Sequence, residues 1–116
     1  MKWYGNLYTG SYAAGRLDEI REDIELEEFD FPGLYLITLA SNHIDQLDIF
    51  AASRLIGRKA AARRMQMLVG VALGKEEAMD VLQTIARDTV SETGGCDMRS
   101  YLRRKQQVFE QEMLMG

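Results

Sequence analysis

Gly33-Leu34-Tyr35-Leu36-Ile37-Thr38-Leu39-Ala40, broken by Ser41-Asn42-His43, and Met65-Gln66-Met67-Leu68-Val69-Gly70-Val71-Ala72-Leu73, broken by Gly74-Lys75, are the stretches that decide the fold class. Each is short and apolar at successive rather than alternate positions, which predicts a strand covered on both faces. Each is followed by a polar break and an amphipathic segment that opens with acids, Asp45 and Asp48 in the first case and Glu76 and Glu77 in the second. Acids favour the positive end of a helix dipole, so both segments read as helices. Two strands of one sheet joined through a helix run parallel, with a right-handed crossover. The expectation is a small α/β domain with a largely parallel sheet and helices packed on it.

Outward from these runs, the first helix is expected from about Ile44, capped by Asn42, turned inward at Leu47, Phe50, Ala51 and Leu55, and ended at Gly57. The second is expected from about Lys75 to Glu92, with Ala78, Val81, Leu82 and Ile85 inward and Gly94-Gly95 as its stop. The aromatic, glycine-rich start from Trp3 to Tyr12 fits an extended segment or edge strand. From about Tyr12 to Glu28, Leu17, Ile20 and Ile24 recur at helical spacing among charges, giving an acidic N-terminal helix. The C-terminal segment reads in two ways. The favoured one is a short strand or turn over 96–102 and then an amphipathic helix from Arg103 to Met115; the other is a single helical stripe capped by Asp97.

At 116 residues and 47% hydrophobic, the chain is expected to form one domain, residues 1–116. Neither apolar run reaches the roughly 18 residues of a membrane helix, and the start lacks a signal-peptide layout, so a cytoplasmic protein with no membrane partner is expected. Cys96 is the only cysteine and His43 the only histidine. An internal disulfide is excluded, a reduced thiol is the simplest state, and no metal site or cofactor is read from spacing. Charge is segregated. Residues 18–30 hold eight acids against Arg21 alone, while Arg54, Arg58, Lys59, Arg63 and Arg64 form an opposing basic cluster that could pair within the fold or across a dimer. With little aromatic interleaving and a pI near 5.0, that cluster argues against a nucleic-acid partner.

Parallel strands would bring both polar breaks to one edge of the sheet, where helix N-termini present free N–H groups. The candidate ligand-binding residues are therefore Ser41, Asn42, His43, Gly74 and Lys75. Gly70-Val71-Ala72-Leu73-Gly74-Lys75-Glu76 approaches the phosphate-binding pattern G-x-x-x-x-G-K-[ST], but is one residue short and has a carboxylate where the hydroxyl belongs. No G-x-G-x-x-G follows either strand. His43 has no assignable partner for base catalysis, and Glu76-Glu77 are more simply first-turn acids. No catalytic set emerges. The leading reading is a non-enzymatic interaction or regulatory module acting as a homo-oligomer, with another protein as a further possible partner. The alternative is a small-molecule or anion-binding protein, enzymes included, using the carboxyl edge of the strands.

The stretches Leu34 to Asn42 with Asp48-Ile49, and Thr93-Gly94-Gly95-Cys96-Asp97-Met98-Arg99-Ser100-Tyr101-Leu102, resemble a group of short bacterial α/β proteins of unassigned function. The resemblance implies a bacterial cytoplasmic setting and carries over no catalytic residues.

Overall fold

The structure, a computed structural model, describes residues 1–42 and 44–116. In chain order its elements are β1 (Trp3–Thr9), α1 (Ser11–Ala14), α2 (Leu17–Glu25), β2 (Leu34–Leu39), β3 (Leu47–Ala51), a 3-10 turn (Ala52–Leu55), α3 (Lys59–Arg63), β4 (Leu68–Leu73), α4 (Lys75–Thr93) and α5 (Met98–Met115). The four strands form one sheet in the order β1-β4-β2-β3.

Helices cover both faces of that sheet. On one face Tyr4, Ile37, Leu39, Val69 and Ala72 meet Ala78, Val81 and Ile85 of α4 and Tyr101 and Leu102 of α5. On the other, Leu34, Leu36, Leu68 and Val71 meet Ala13 of α1, Ile20 and Ile24 of α2, Phe29, and Ala52, Leu55 and Ala62 of the β3 to β4 connection. A side chain added at Gly70 would press within 3.1 Å of Val81 and 3.3 Å of Ile37, so this glycine lets α4 sit close on the sheet. The α4 helix follows the helical period expected of it, with Ala78, Val81, Ile85 and Thr89 buried, and stops at Gly94, whose φ of 76° and N–H bond to the Val90 carbonyl form a left-handed cap.

Three expectations are corrected. The sheet is mixed rather than largely parallel: β1 and β4 run parallel, but β2 is antiparallel to both β3 and β4, with Leu34 opposite Leu73 and Thr38 opposite Leu68. Burial on both faces reports helices above and below a strand and is blind to its direction, so the two apolar runs are neighbours but not parallel. Second, the segment from Ile44 is not a helix. Leu47–Ala51 turns back as a strand against β2, Ile37 facing Ile49, and the 3-10 turn and α3 then carry the chain over β2 to β4. Third, the C-terminal segment takes the single-helix reading from Met98, with Asp97 accepting the Ser100 N–H at 3.0 Å. The acidic stretch itself divides. Asp18, Glu19, Glu22, Asp23 and Glu25 lie on α2, and Glu27, Glu28 and Asp30 lie in the turn beyond it.

Candidate functional site

Antiparallel pairing separates the expected ligand edge into two ends. Gly74 and Lys75 follow β4 at the end where β2 begins, and the Gly74 N–H donates to the Gly33 carbonyl at 2.8 Å. Ser41 and Asn42 follow β2 at the opposite end; His43 lies outside the described residues. The four described residues among the five expected do not form one site.

At the Gly74 end, the parallel pair β1 and β4 does present its carboxyl edge, and a cleft of about 550 Å³ opens there, lined among others by Tyr8, Tyr12, Lys75, Glu76, Asp80 and Thr84. Gly10 and Gly74 lead into α1 and α4, whose first N–H groups point toward this edge as bare donors would in an anion site. Here the anion is built in. The Glu77 carboxylate accepts the N–H groups of Tyr12, Ala13 and Leu73, each at 3.1 Å, and lies so close on Gly10 that an added side chain there would meet it at 1.9 Å. Glu77 thus ties the β1 to α1 corner to the β4 to α4 corner. Sequence reasoning places it correctly in a first helical turn, but Tyr12 and Ala13 come from α1, which local spacing cannot bring near.

At the Ser41 end, Asn42 closes its own loop by accepting the N–H groups of Ile44 and Asp45 at 2.9 and 2.7 Å. Arg99 of α5 then gathers the carbonyls of Ala40, Asn42 and Asp45 at 3.1, 2.6 and 2.5 Å, while Gln46 accepts the Met98 N–H at 2.6 Å. Asn42 is a loop-former rather than a helix cap. The thiol of Cys96 is exposed beside this loop.

Between β1, α4 and α5 lies a row of tyrosines. Tyr4 and Tyr8 stack with ring centres 6.1 Å apart, Tyr8 donates its hydroxyl to Asp88 at 2.6 Å, and Tyr101 donates to Glu92. Burial, and then the hydrogen bond to the carboxylate partner, pushes the Tyr8 and Tyr101 hydroxyls well above the ordinary tyrosine range. They stay protonated and act as donors that fasten helices to the sheet, not as bases. The remaining acidic grouping is Asp23, Glu28 and Asp30, one carboxylate oxygen of each lying within 4.8 Å of the others. Burial, then the neighbouring Asp30 carboxyl, pushes Asp23 above the usual carboxylate range.

Two polar ends therefore carry organised side chains, and in both the polar groups are engaged with the chain's own backbone. Among the described residues no helix is long and apolar enough to cross a membrane. Compared with protein-family models, curated proteins and solved structures, the chain matches none.

Proposed function

We propose that the protein is a non-enzymatic interaction module that associates with a second copy of itself through β3. The observation that carries this reading is the unequal treatment of the two sheet edges. The outer edge, β1, is closed: its ladder is irregular between Trp3 and Tyr8, the Gly5 N–H donates to Gln106 of α5 at 2.7 Å, and the Phe109 ring packs on Gly5. The other, β3, pairs with β2 alone and carries Leu47, Ile49 and Phe50 half-buried, with Asp48 as its single charge. Edge strands left flat and apolar pair with other strands. Two copies meeting β3 to β3 across a two-fold axis would make one continuous sheet of both.

The other grounds for self-association weaken. Arg63 of the basic cluster makes a two-pronged pair with Glu27 at 2.7 and 3.0 Å inside one chain, so the charged segments partly satisfy each other. Leu102 is fully buried and Phe109 packs on Gly5, which leaves Val108 and Met113 to Met115 as the exposed apolar side chains of α5.

Sedimentation at micromolar concentration should give about twice the 13.2 kDa chain mass, and Ile49→Lys should return the protein to that mass without changing its helical circular dichroism. A wild-type monomer that persists at high concentration refutes the reading.

The cleft at the β1 and β4 carboxyl edge supports the small-molecule alternative, but its charge argues against anions: Glu76, Glu77 and Asp80 surround it against Lys75. A small cationic ligand suits it better. A thermal-shift panel of amines against phosphates and carboxylates tests this, because ligand binding to the folded state raises Tm.

A further inference from the structure

The acidic turn after α2 is built around a carboxylate that its own chain does not satisfy. Asp23 sits on the last turn of α2, beside the buried Ile20 and Ile24, and is itself only 7% exposed. One of its oxygens accepts the Asp30 N–H at 3.2 Å; the other, Oδ2, is buried and has no hydrogen-bond partner. A buried carboxylate oxygen without a partner is costly and calls for a ligand or a proton. The chain then folds back over it. Glu27 and Phe29 both adopt left-handed backbone, with φ of 58° and 57°, the Glu28 N–H donates to the Asp23 carbonyl at 3.1 Å, and the Phe29 ring is buried as an anchor. Glu28 and Asp30 return to Asp23 as a result, their side chains open to solvent.

No side-chain cation neutralises this group among the described residues. Arg63 pairs with Glu27, Arg16 with Glu19, Lys2 with Glu110 and Lys105 with Glu92. Three carboxylates in mutual proximity, one of them with a buried oxygen that has no partner, form the donor set of a hard cation. We propose that Asp23, Glu28 and Asp30 bind a calcium ion. The separation suits calcium: two oxygens bridged by an ion at about 2.3–2.6 Å lie up to about 5.2 Å apart, and these lie within 4.8 Å of one another. Magnesium asks for about 2.0–2.1 Å and a rigid octahedron, which an open turn with two exposed ligands does not supply. Water fills the remaining positions on the exposed side. With three protein ligands and no enclosing loop, affinity falls in the weak range, about 0.1–1 mM.

The test uses the full chain stripped of metal by chelator. In 10 mM CaCl2, Tm should rise by about 5 °C or more, whereas NaCl at matched ionic strength should leave it unchanged and MgCl2 should raise it less. Calorimetric titration with CaCl2 should give one site per chain. Glu28→Gln and Asp30→Asn alter exposed side chains, so both should fold, and each should weaken calcium binding at least tenfold. If one of them folds poorly, the other and the titration still decide. An absent calcium shift, which would mean that Asp23 and Asp30 share a proton instead, overturns the proposal. So does a shift that survives both substitutions, or one that magnesium matches. Oligomeric state plays no part in these readouts, so this site and the β3 contact stand or fall separately.

Discussion

Glu77→Ala removes the carboxylate on which two corners of the fold converge, and the cost follows from its three partners. Hydrogen bonds to a charged group contribute about 1.5–3 kcal/mol when buried and little when water can replace them. The Tyr12 N–H is exposed, so water takes over there. The Ala13 and Leu73 N–H groups are part-buried and both donate to the same oxygen, Oε1. Losing those two at about 1–1.5 kcal/mol each predicts a total of about 2–3 kcal/mol. For a chain of this size that is a fall in Tm of about 8–12 °C. Glu77→Gln separates the terms. Its carbonyl oxygen can keep both part-buried donors, while its NH2 replaces the acceptor that faced the Tyr12 N–H, so the loss should be about 1 kcal/mol.

Urea unfolding followed by circular dichroism measures both variants. The alanine variant also offers a chemical check. With the carboxylate gone, the freed N–H groups become an anion site, and formate or acetate at tens of millimolar should recover part of the lost Tm where chloride does not. An alanine variant within about 0.5 kcal/mol of wild type would refute the reasoning, because that is the range of surface substitutions that touch nothing. Equal losses for alanine and glutamine would refute the assignment of the buried pair to one oxygen.

Three further outcomes follow from neighbouring features. Gly10→Ala should evict the Glu77 carboxylate, since its new side chain would stand 1.9 Å from Oε1; it should cost about as much as Glu77→Ala, and the double variant should cost little more than either, which a double-mutant cycle in urea measures. Arg99→Ala should release the three carbonyls held by one terminal guanidinium nitrogen, lowering stability by about 1–2 kcal/mol and speeding hydrogen exchange in β3 more than in β1, with Arg99→Lys restoring part because a single ammonium can meet the same carbonyls from a shorter side chain. The Ser100 N–H and hydroxyl hold Asp97 below the usual carboxylate range, so its contribution is present above the unfolded pKa and is lost as pH falls through the lower folded one; the Tm gap between wild type and Asp97→Ala should therefore narrow in acid and stay constant from pH 5 upward.

The features legible in the sequence are those set by local spacing. The α4 helix announces itself by a 3.6-residue period between Gly74 and Gly94, and β2 and β4 by unbroken apolar runs. Leu47–Ala51 defeated the same reasoning because Leu47, Phe50, Ala51 and Leu55 satisfy a helical stripe as well as a strand, and five residues are too few to choose between periods. The choice is made by β2, which offers Ile49 and Phe50 a ladder partner that no isolated helix could match. The direction of β2 depends on this segment. A helix at that place demanded a crossover and parallel strands, and parallel strands demanded a shared ligand edge.

The polar sites were illegible for a related reason. Glu77 meets Tyr12 and Ala13 across more than sixty residues, Arg99 meets Ala40 across 59, and Tyr8 meets Asp88 across 80. Each pair looks like two unrelated solvent-facing residues until the sheet order is known. Asp23, Glu28 and Asp30 are the exception, a cluster made within eight residues, yet their convergence depends on two non-glycine residues in left-handed backbone. Sequence preference assigns that conformation to glycine and asparagine, not to glutamate and phenylalanine. What holds Phe29 there is its burial in the core cluster to which Leu34, Leu36 and Leu55 also belong, so the acidic turn is shaped by the core beneath it. Strain of this kind persists only where the surrounding packing outweighs it. Glu27→Gly relieves one strained position but gives up the pair with Arg63, so it should change stability little and leave calcium affinity unchanged. Phe29→Ala should instead loosen the turn and lower both, and a Phe29→Ala chain that still bound calcium as tightly as wild type would show that the turn holds its shape without the core.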